Sequence, residues 1–284
     1  MSSGSVPRPA PPPRERLADL GPYRSLTQSF LHRELRTRFL GSRFGWLWSL
    51  INPLMILATY SVVFGIVMGG DRGLAPSANG VRIFAVYLFT GLVCWNIFSS
   101  VLQRTIDGLL ELMPLRKKVA FPIFAPLVGM AAATLVERSA EVALLTVVYA
   151  VYGNIGWTFL LVPVLMILTA GLGFGLGLAV SVVNVRFRDV GHLVGVALQL
   201  VFYATPVIYP PSFVDTHLGQ GSPARLLLEA NPLYAFVQAF RDLMWSLALP
   251  TARTWLVAVA WTAIALVGGW LIFRDRAYLV AEGA

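Results

Sequence analysis

The sequence holds one cysteine, two lysines, three histidines and little charge of either sign. Only 13% of its 284 residues are Asp, Glu, Lys or Arg, about half the roughly 25% of an ordinary soluble domain. Set beside 57% hydrophobic residues and a mean hydropathy of +0.70, that scarcity excludes a disordered chain and argues against a water-soluble enzyme. The lone Cys94 lies in an apolar run, so no intramolecular disulfide can form. Lys117 and Lys118 are the only lysines and follow no glycine-rich loop, so ATP phosphates have no cradle of the usual kind. His32, His192 and His217 are scattered without metal-ligand spacing, and no metal site is expected. An Asp-x-Asp pair and a serine or cysteine nucleophile motif are also missing. The sequence thus nominates no catalytic residue and no cofactor bound by this chain.

What the sequence does have is apolar length. A helix needs roughly 20 apolar residues to cross the hydrocarbon core of a bilayer. Charge-poor runs place spans at 46–70, 83–103, 124–152, 157–183, 190–210 and 254–273. The long run beyond Val142 divides at Gly153-Asn154-Ile155-Gly156, a turn-like cluster, with Trp157 as an interfacial anchor just after it. The stretch from Val119 to Tyr152, interrupted by Glu137, Arg138 and Glu141, reads either as one span or as two short ones. The positive-inside rule decides for one. Six spans with the N-terminus inside put 16 basic residues on the inner side and 5 on the outer, with Arg138 in a span. Both ends are therefore expected in the cytoplasm of a bacterial cell, as a multi-pass protein of the inner (plasma) membrane. The net charge of +8, 20 of its 22 basic residues being Arg, suits an anionic surface. Against this apolar background that surface is membrane lipid and not nucleic acid.

The remaining segments divide naturally. Residues 1–22 are Pro- and Arg-rich without an apolar core, hence a flexible cytoplasmic tail with no evident signal peptide. Residues 23–45 read as an interfacial helix and turn. Its apolar residues Leu26, Phe30, Leu31, Leu35 and Phe39 drift around the helix instead of forming one stripe, and its arginines suit anionic headgroups. In 211–253, Ser222-Pro223 and Asn231-Pro232 each set an N-cap before a first-turn proline. They open two apolar helices too short to span, a re-entrant hairpin on the outer side that serves as a gate or as a plain cap. Residues 274–284 form a cytoplasmic tail. The fold class is all-α and integral to the membrane.

Three segments carry a family resemblance. Arg38 to Pro53 reads RFLGSRFGWLWSLINP, Leu115 to Pro122 reads LRKKVAFP, and Asn184 to Pro210 contains NVRFRDV followed by QLVFYATPVIYP. Together with the later Asn231-Pro232 and Ala239-Phe240-Arg241, in order and on six spans, the chain resembles the membrane (permease) subunit of ABC exporters for lipid-linked polysaccharides. Those exporters handle O-antigen, capsule, teichoic acid and cell-wall galactan. The resemblance implies a homodimer paired with two copies of a separate ATPase subunit, which would hold the ATP and Mg. It also implies export of a polyprenyl-diphosphate-linked glycan by a subunit that is not itself an enzyme.

The resemblance places Leu115, Arg116, Lys117 and Lys118 in or beside an ATPase-contacting loop; ordinary positive-inside charge is the other reading. Arg24, Arg33, Arg36 and Arg43 sit where a lipid diphosphate would approach from inside, and guanidinium forks match phosphate oxygens. Attraction to any anionic lipid explains them equally. Phe84, Tyr87, Gly91, Trp95 and Phe98 share one face of the second span, and Gln199, Phe202, Tyr203, Pro206 and Tyr209 one face of the fifth. Such aromatic faces stack on sugar rings along a channel, or simply pack helices. Glu137, Arg138 and Glu141 form an intramembrane ion pair, structural first and a channel gate second, because a charge at mid-bilayer costs roughly 2.5–3.5 kcal/mol. A drug or simple-lipid exporter of the same fold remains the alternative, as does a membrane-embedded transferase acting on polyprenyl-linked sugars.

Overall fold

The computed structural model describes residues 20–40, 48–67, 76–116, 118–119, 121–210 and 228–276, and among these it is helical with no strand. The N-terminal tail, the Gly41–Leu47 turn with Arg43 and Trp46, Lys117, the Ser222-Pro223 cap with most of the helix after it, and residues 277–284 lie outside the described residues.

Among the described residues eight α-helices follow in order. Helix α1 is Leu20–Leu40. Helix α2, Trp48–Tyr60, continues into a π-helical turn at Ser61–Val67 and carries Pro53 inside it. Helix α3 is Phe84–Arg116, α4 is Phe124–Val151, and α5 is Val162–Arg186, entered through a 3-10 turn at Trp157–Leu161. Helix α6 is Val190–Ala204, α7 is Pro232–Met244 and α8 is Ala252–Arg276. Among the described residues three stretches are long and apolar enough to cross a membrane, Phe84–Arg116, Trp157–Arg186 and Ala252–Asp275; Leu50–Ile66 and Val190–Ala204 are shorter apolar helices. Phe124–Val151 is one continuous helix through Glu137, Arg138 and Glu141.

The chain departs from the sequence reading in three places. Helix α3 runs on from residue 103 to Arg116, because Arg104, Leu109, Leu110, Glu111 and Leu112 are good helix formers at an end that need not stay in lipid. Helix α6 ends at Ala204, since Thr205 is extended before Pro206. Pro206 and Tyr209 therefore sit in a turn and do not continue the face of Gln199. Helix α1 does have a single inward face, made of Tyr23, Leu26, Thr27, Phe30, Leu31, Glu34 and Leu35. The apolar residues alone drift because two polar residues, Thr27 and Glu34, complete that face.

Helix α5 is the axis of the bundle, packed against α3 on one side and α8 on the other. Its Gly171-Leu-Gly-Phe-Gly-Leu-Gly177 run explains how. Residues four apart share a helix face, while residues two apart point nearly opposite ways. A Cβ on Gly173 or Gly177 would come within 2.6 Å of Phe98 O or 2.7 Å of Thr105 Cβ on α3. One on Gly171 or Gly175 would come within 2.9 Å of Thr262 Cγ2 or 2.3 Å of the Ala265 carbonyl carbon on α8. Lipid supplies little hydrophobic drive between helices, so close backbone approach and dispersion hold such faces together. On the other flank, α1 lies on α4 at Gly129, where a Cβ would sit 2.6 Å from Thr27 O. Thr27 Oγ1 donates to Ala125 O at 3.2 Å, and Phe30 stacks near Phe121.

Candidate functional site

Helix α7 is the most thoroughly anchored short element. Asn231 caps it, its side-chain oxygen accepting from Leu233 N at 3.0 Å, with Pro232 at the first helical position. The Asn231 amide also donates to Thr205 Oγ1 at 2.8 Å, tying α7 to the end of α6. At the other end the α4–α5 connection satisfies carbonyls that a helix C-terminus leaves open. The Asn154 amide donates to Met244 O at 2.8 Å and Trp245 O at 3.2 Å, and Thr158 Oγ1 donates to Leu243 O at 2.6 Å. Gly153, at φ +72°, makes the turn that aims Asn154 inward.

Arg241 sits at the centre of this cap and is 1% exposed. Its guanidinium carbon lies 4.0 Å from the Tyr87 ring centroid, and Nη2 donates to Val207 O at 2.8 Å. Nε and Nη1 have no hydrogen-bond partner among the described residues. Gly91 makes the site possible, because a Cβ there would come within 3.1 Å of both Arg241 Nη2 and Val207 O. Tyr87 and Tyr149 in turn contact Trp245 edge-on, and the Tyr149 hydroxyl shares a 2.7 Å hydrogen bond with Thr90. Next to it, burial raises the Asp242 carboxyl above its ordinary range, opposed by a hydrogen bond from Gln238 and by the charge of Arg241. The positive-inside count places Arg241 among the five outer basic residues, within the short helix that Asn231-Pro232 opens. Its place on the apolar stripe of Leu233, Val237, Phe240 and Met244 was the available signal of burial.

The two aromatic faces read from the sequence part company. Phe84, Tyr87, Trp95 and Phe98 are buried inside the single chain. Phe84 packs on Phe64, and Trp95 on Phe202 with centroids 5.2 Å apart. On α6, Phe202 is half-buried while Gln199 and Tyr203 are exposed. Tyr209, half-buried in the following turn, donates its hydroxyl to Tyr203 O at 3.3 Å.

Helix α4 carries the charged cluster. Arg138 pairs with Glu141 one turn on, and its Nη2 lies 3.8 Å from Glu137. Glu141 is buried, and its second oxygen accepts from the Asn96 amide of α3 at 2.9 Å. Asn96, which the sequence reading passed over, thus makes the cluster a bridge between two helices.

At the Arg116 end of α3, Arg104 forks to Glu111 at 2.7 and 3.0 Å and meets Glu34 of α1 at 2.9 Å. The helix then closes into a turn in which Lys118 N and Val119 N both bond Leu115 O at 3.1 Å. Leu115 and Lys118 are exposed and Arg116 is half-buried. On α1, Arg24, Arg33 and Arg36 are exposed, Arg33 lying over the Phe30 ring at 5.5 Å.

Comparison with known proteins covers nearly the whole chain. Residues 25–245 match the family described as ABC-2 type transporter. The O-antigen export system permease protein RfbA of Myxococcus xanthus is 28% identical over 265 residues, 93% of this chain and 97% of that protein. RfbA of Klebsiella pneumoniae is 26% identical over 93% of this chain and 96% of its own length. The polysialic acid transport protein KpsM of Escherichia coli is 24% identical over 86% of this chain and 90% of its own.

Proposed function

The chain belongs to the ABC-2 type transporter family, and on that premise we propose that it is the permease subunit of an ABC exporter of polyprenyl-diphosphate-linked polysaccharide. The observation that carries the cargo is similarity over more than nine-tenths of the chain to permeases named for O-antigen export. In this reading two copies form the channel in the bacterial plasma membrane. Two copies of a separate ATPase subunit, which hold ATP and Mg, dock at the Leu115–Lys118 turn. The spans are α2 with its π turn, α3, α4, α5, α6 and α8, with both chain ends in the cytoplasm. Helix α7, about 20 Å long at 1.5 Å per residue, is too short to cross and closes the outer end.

The chain's own residues then divide the work. Arg24, Arg33, Arg36 and Arg43 attract the diphosphate at the inner surface, where a guanidinium binds phosphate oxygens in pairs. ATP-driven movement of the partner reaches the membrane through the end of α3 at Arg116, and Arg104 passes it to α1 through Glu34. The glycan slides past side chains that bind each sugar weakly, with Gln199 and Tyr203 offering the exposed contacts on α6.

The test is depletion of this protein in its host, followed by extraction and sizing of lipid-linked glycans. A long polyprenyl-linked polymer should accumulate on the cytoplasmic side, and a partner ATPase should co-purify with the chain. Unchanged long glycans with a short lipid-linked precursor building up would overturn the reading in favour of a transferase. No change in either pool would overturn it in favour of a drug or simple-lipid exporter.

A further inference from the structure

Helix α3 is buried along nearly all of its outer half, and what it leaves uncovered has one character. Between Phe84 and Leu109 the only residues that are not buried are Asn96, Ser99, Ser100, Gln103, Arg104 and Asp107. Every one is polar. Helix α8 does the opposite, exposing Leu256, Val259, Ile264, Val267 and Leu271. A hydrocarbon core of roughly 30 Å takes up about 20 helical residues, so with Phe84 near one boundary the residues from Asn96 to Gln103 lie at hydrocarbon depth. The Asn96 amide donates to Glu141 and the Ser99 hydroxyl to Trp95 O at 2.9 Å, but Ser100 and Gln103 turned toward lipid there would face apolar surroundings at several kcal/mol per unsatisfied polar group. The α8 face suits lipid, whereas the α3 face needs water or a polar partner.

We propose that Asn96, Ser100, Gln103 and Asp107 form the hydrophilic wall of the translocation path, a ladder that hydrogen-bonds the hydroxyls of an uncharged glycan chain. The inference rests on the polysaccharide-export reading and supplies the wall that the buried aromatic face of α3 cannot. Spacings of four, three and four residues hold the four side chains on one face, about 16 Å from first to last at 1.5 Å per residue. Amide and hydroxyl groups both donate and accept, which matches sugar hydroxyls and lets one partner replace the next as the chain slides. Asn96 is already oriented by Glu141. Asp107 carries no positive partner of its own in an ion pair among the described residues, and its carboxylate accepts from sugar hydroxyls at the inner part of the track. Helix α6 packs on the neighbouring face of α3, Trp95 against Phe202, and leaves Tyr203 exposed.

The test uses the complete complex with its ATPase in inside-out membrane vesicles. Cys94 is free and buried, so Cys94→Ala gives a background for single Ser100→Cys, Gln103→Cys and, on α8, Val259→Cys variants. The probe is a membrane-impermeant sulfonated maleimide. The expected result is labelling at 100 and 103 severalfold faster than at 259, slowed when lipid-linked glycan accumulates with ATP withheld. Labelling no faster than at 259 would place the stripe in lipid and overturn the proposal. Disulfides forming between two copies at 100 or 103 would make it a closed dimer seam, which also overturns it. Labelling that the glycan does not slow would leave a wet surface that is not the glycan's wall. Depletion that accumulates no lipid-linked glycan removes the export reading itself, and the labelling contrast with α8 then still reports separately whether the stripe meets water.

Discussion

The guanidinium of Arg241 lies over the ring of Tyr87, 4.0 Å from its centroid, and with a hydrogen bond to a third segment it joins three parts of the chain. Arg241 belongs to α7, Tyr87 to α3, and the hydrogen bond to Val207 O reaches the turn after α6. No carboxylate lies within ion-pair distance of Arg241 among the described residues. The cation is held by a π face and one carbonyl, at a desolvation cost of several kcal/mol.

Stability should therefore depend on what replaces the arginine. Arg241→Met keeps the volume and removes the buried charge, and should be neutral or stabilising by about 1 kcal/mol. Arg241→Ala opens a cavity under Tyr87 and should cost roughly 2–4 kcal/mol. Thermal unfolding of the two variants in detergent decides this; equal losses for both would show that the charge itself stabilises the cap.

Glu141 holds both Arg138 and the Asn96 amide. Glu141→Ala leaves a cation and an amide without their shared acceptor, and should cost roughly 3–5 kcal/mol, with a corresponding fall in folded yield. Arg138→Ala in the Glu141→Ala background should recover part of that loss. Additive losses in the double-mutant cycle would mean that the pair is not coupled.

The two carboxylates on Arg104 give opposite expectations. Glu34 joins α1 to α3, whereas Glu111 lies two turns along α3 itself. Glu34→Gln should speed tryptic cleavage after Arg33 and Arg36 by about fivefold, corresponding to about 1 kcal/mol. Glu111→Gln should leave that cleavage unchanged. Equal effects would mean that the pair does not tether α1.

Two adjacent glycines of α8 offer the sharpest packing test. A Cβ on Gly269 would lie 2.0 Å from Gly175 O, while one on Gly268 meets nothing within 4 Å. Gly269→Ala should force α8 away from α5 and cost more than about 3 kcal/mol. Gly268→Ala should be neutral or slightly stabilising, since alanine is the better helix former by about 1 kcal/mol. Folded yield and melting temperature of the two variants read the difference directly.

The sequence by itself determined the class of the molecule and the places where its helices lie. Apolar runs of about 20 residues have few alternatives to helix, because only an intrahelical ladder satisfies backbone polar groups in lipid. The cap at Asn231-Pro232 and the turn at Gly153 are local chemistry, legible from neighbouring residues. The Arg138–Glu141 pair was legible too, because partners three residues apart meet on any helix.

Only the tertiary structure decided which face of each helix meets which neighbour. The aromatic face of α3 reads from the sequence as a channel lining or as helix packing, because periodicity marks a face without saying what covers it; within the single chain the π turn after α2, α6 and α7 lie against it. Arg241, counted from the sequence as an outer charge on a short helix, becomes a core residue when α7 folds back onto α3, a contact between positions 154 residues apart. Asn96 and Glu141, or Arg104 and Glu34, likewise become partners only when helices pack. Hydrogen bonds and burial depend on distances across space, and a sequence supplies directly only the distances along one helix.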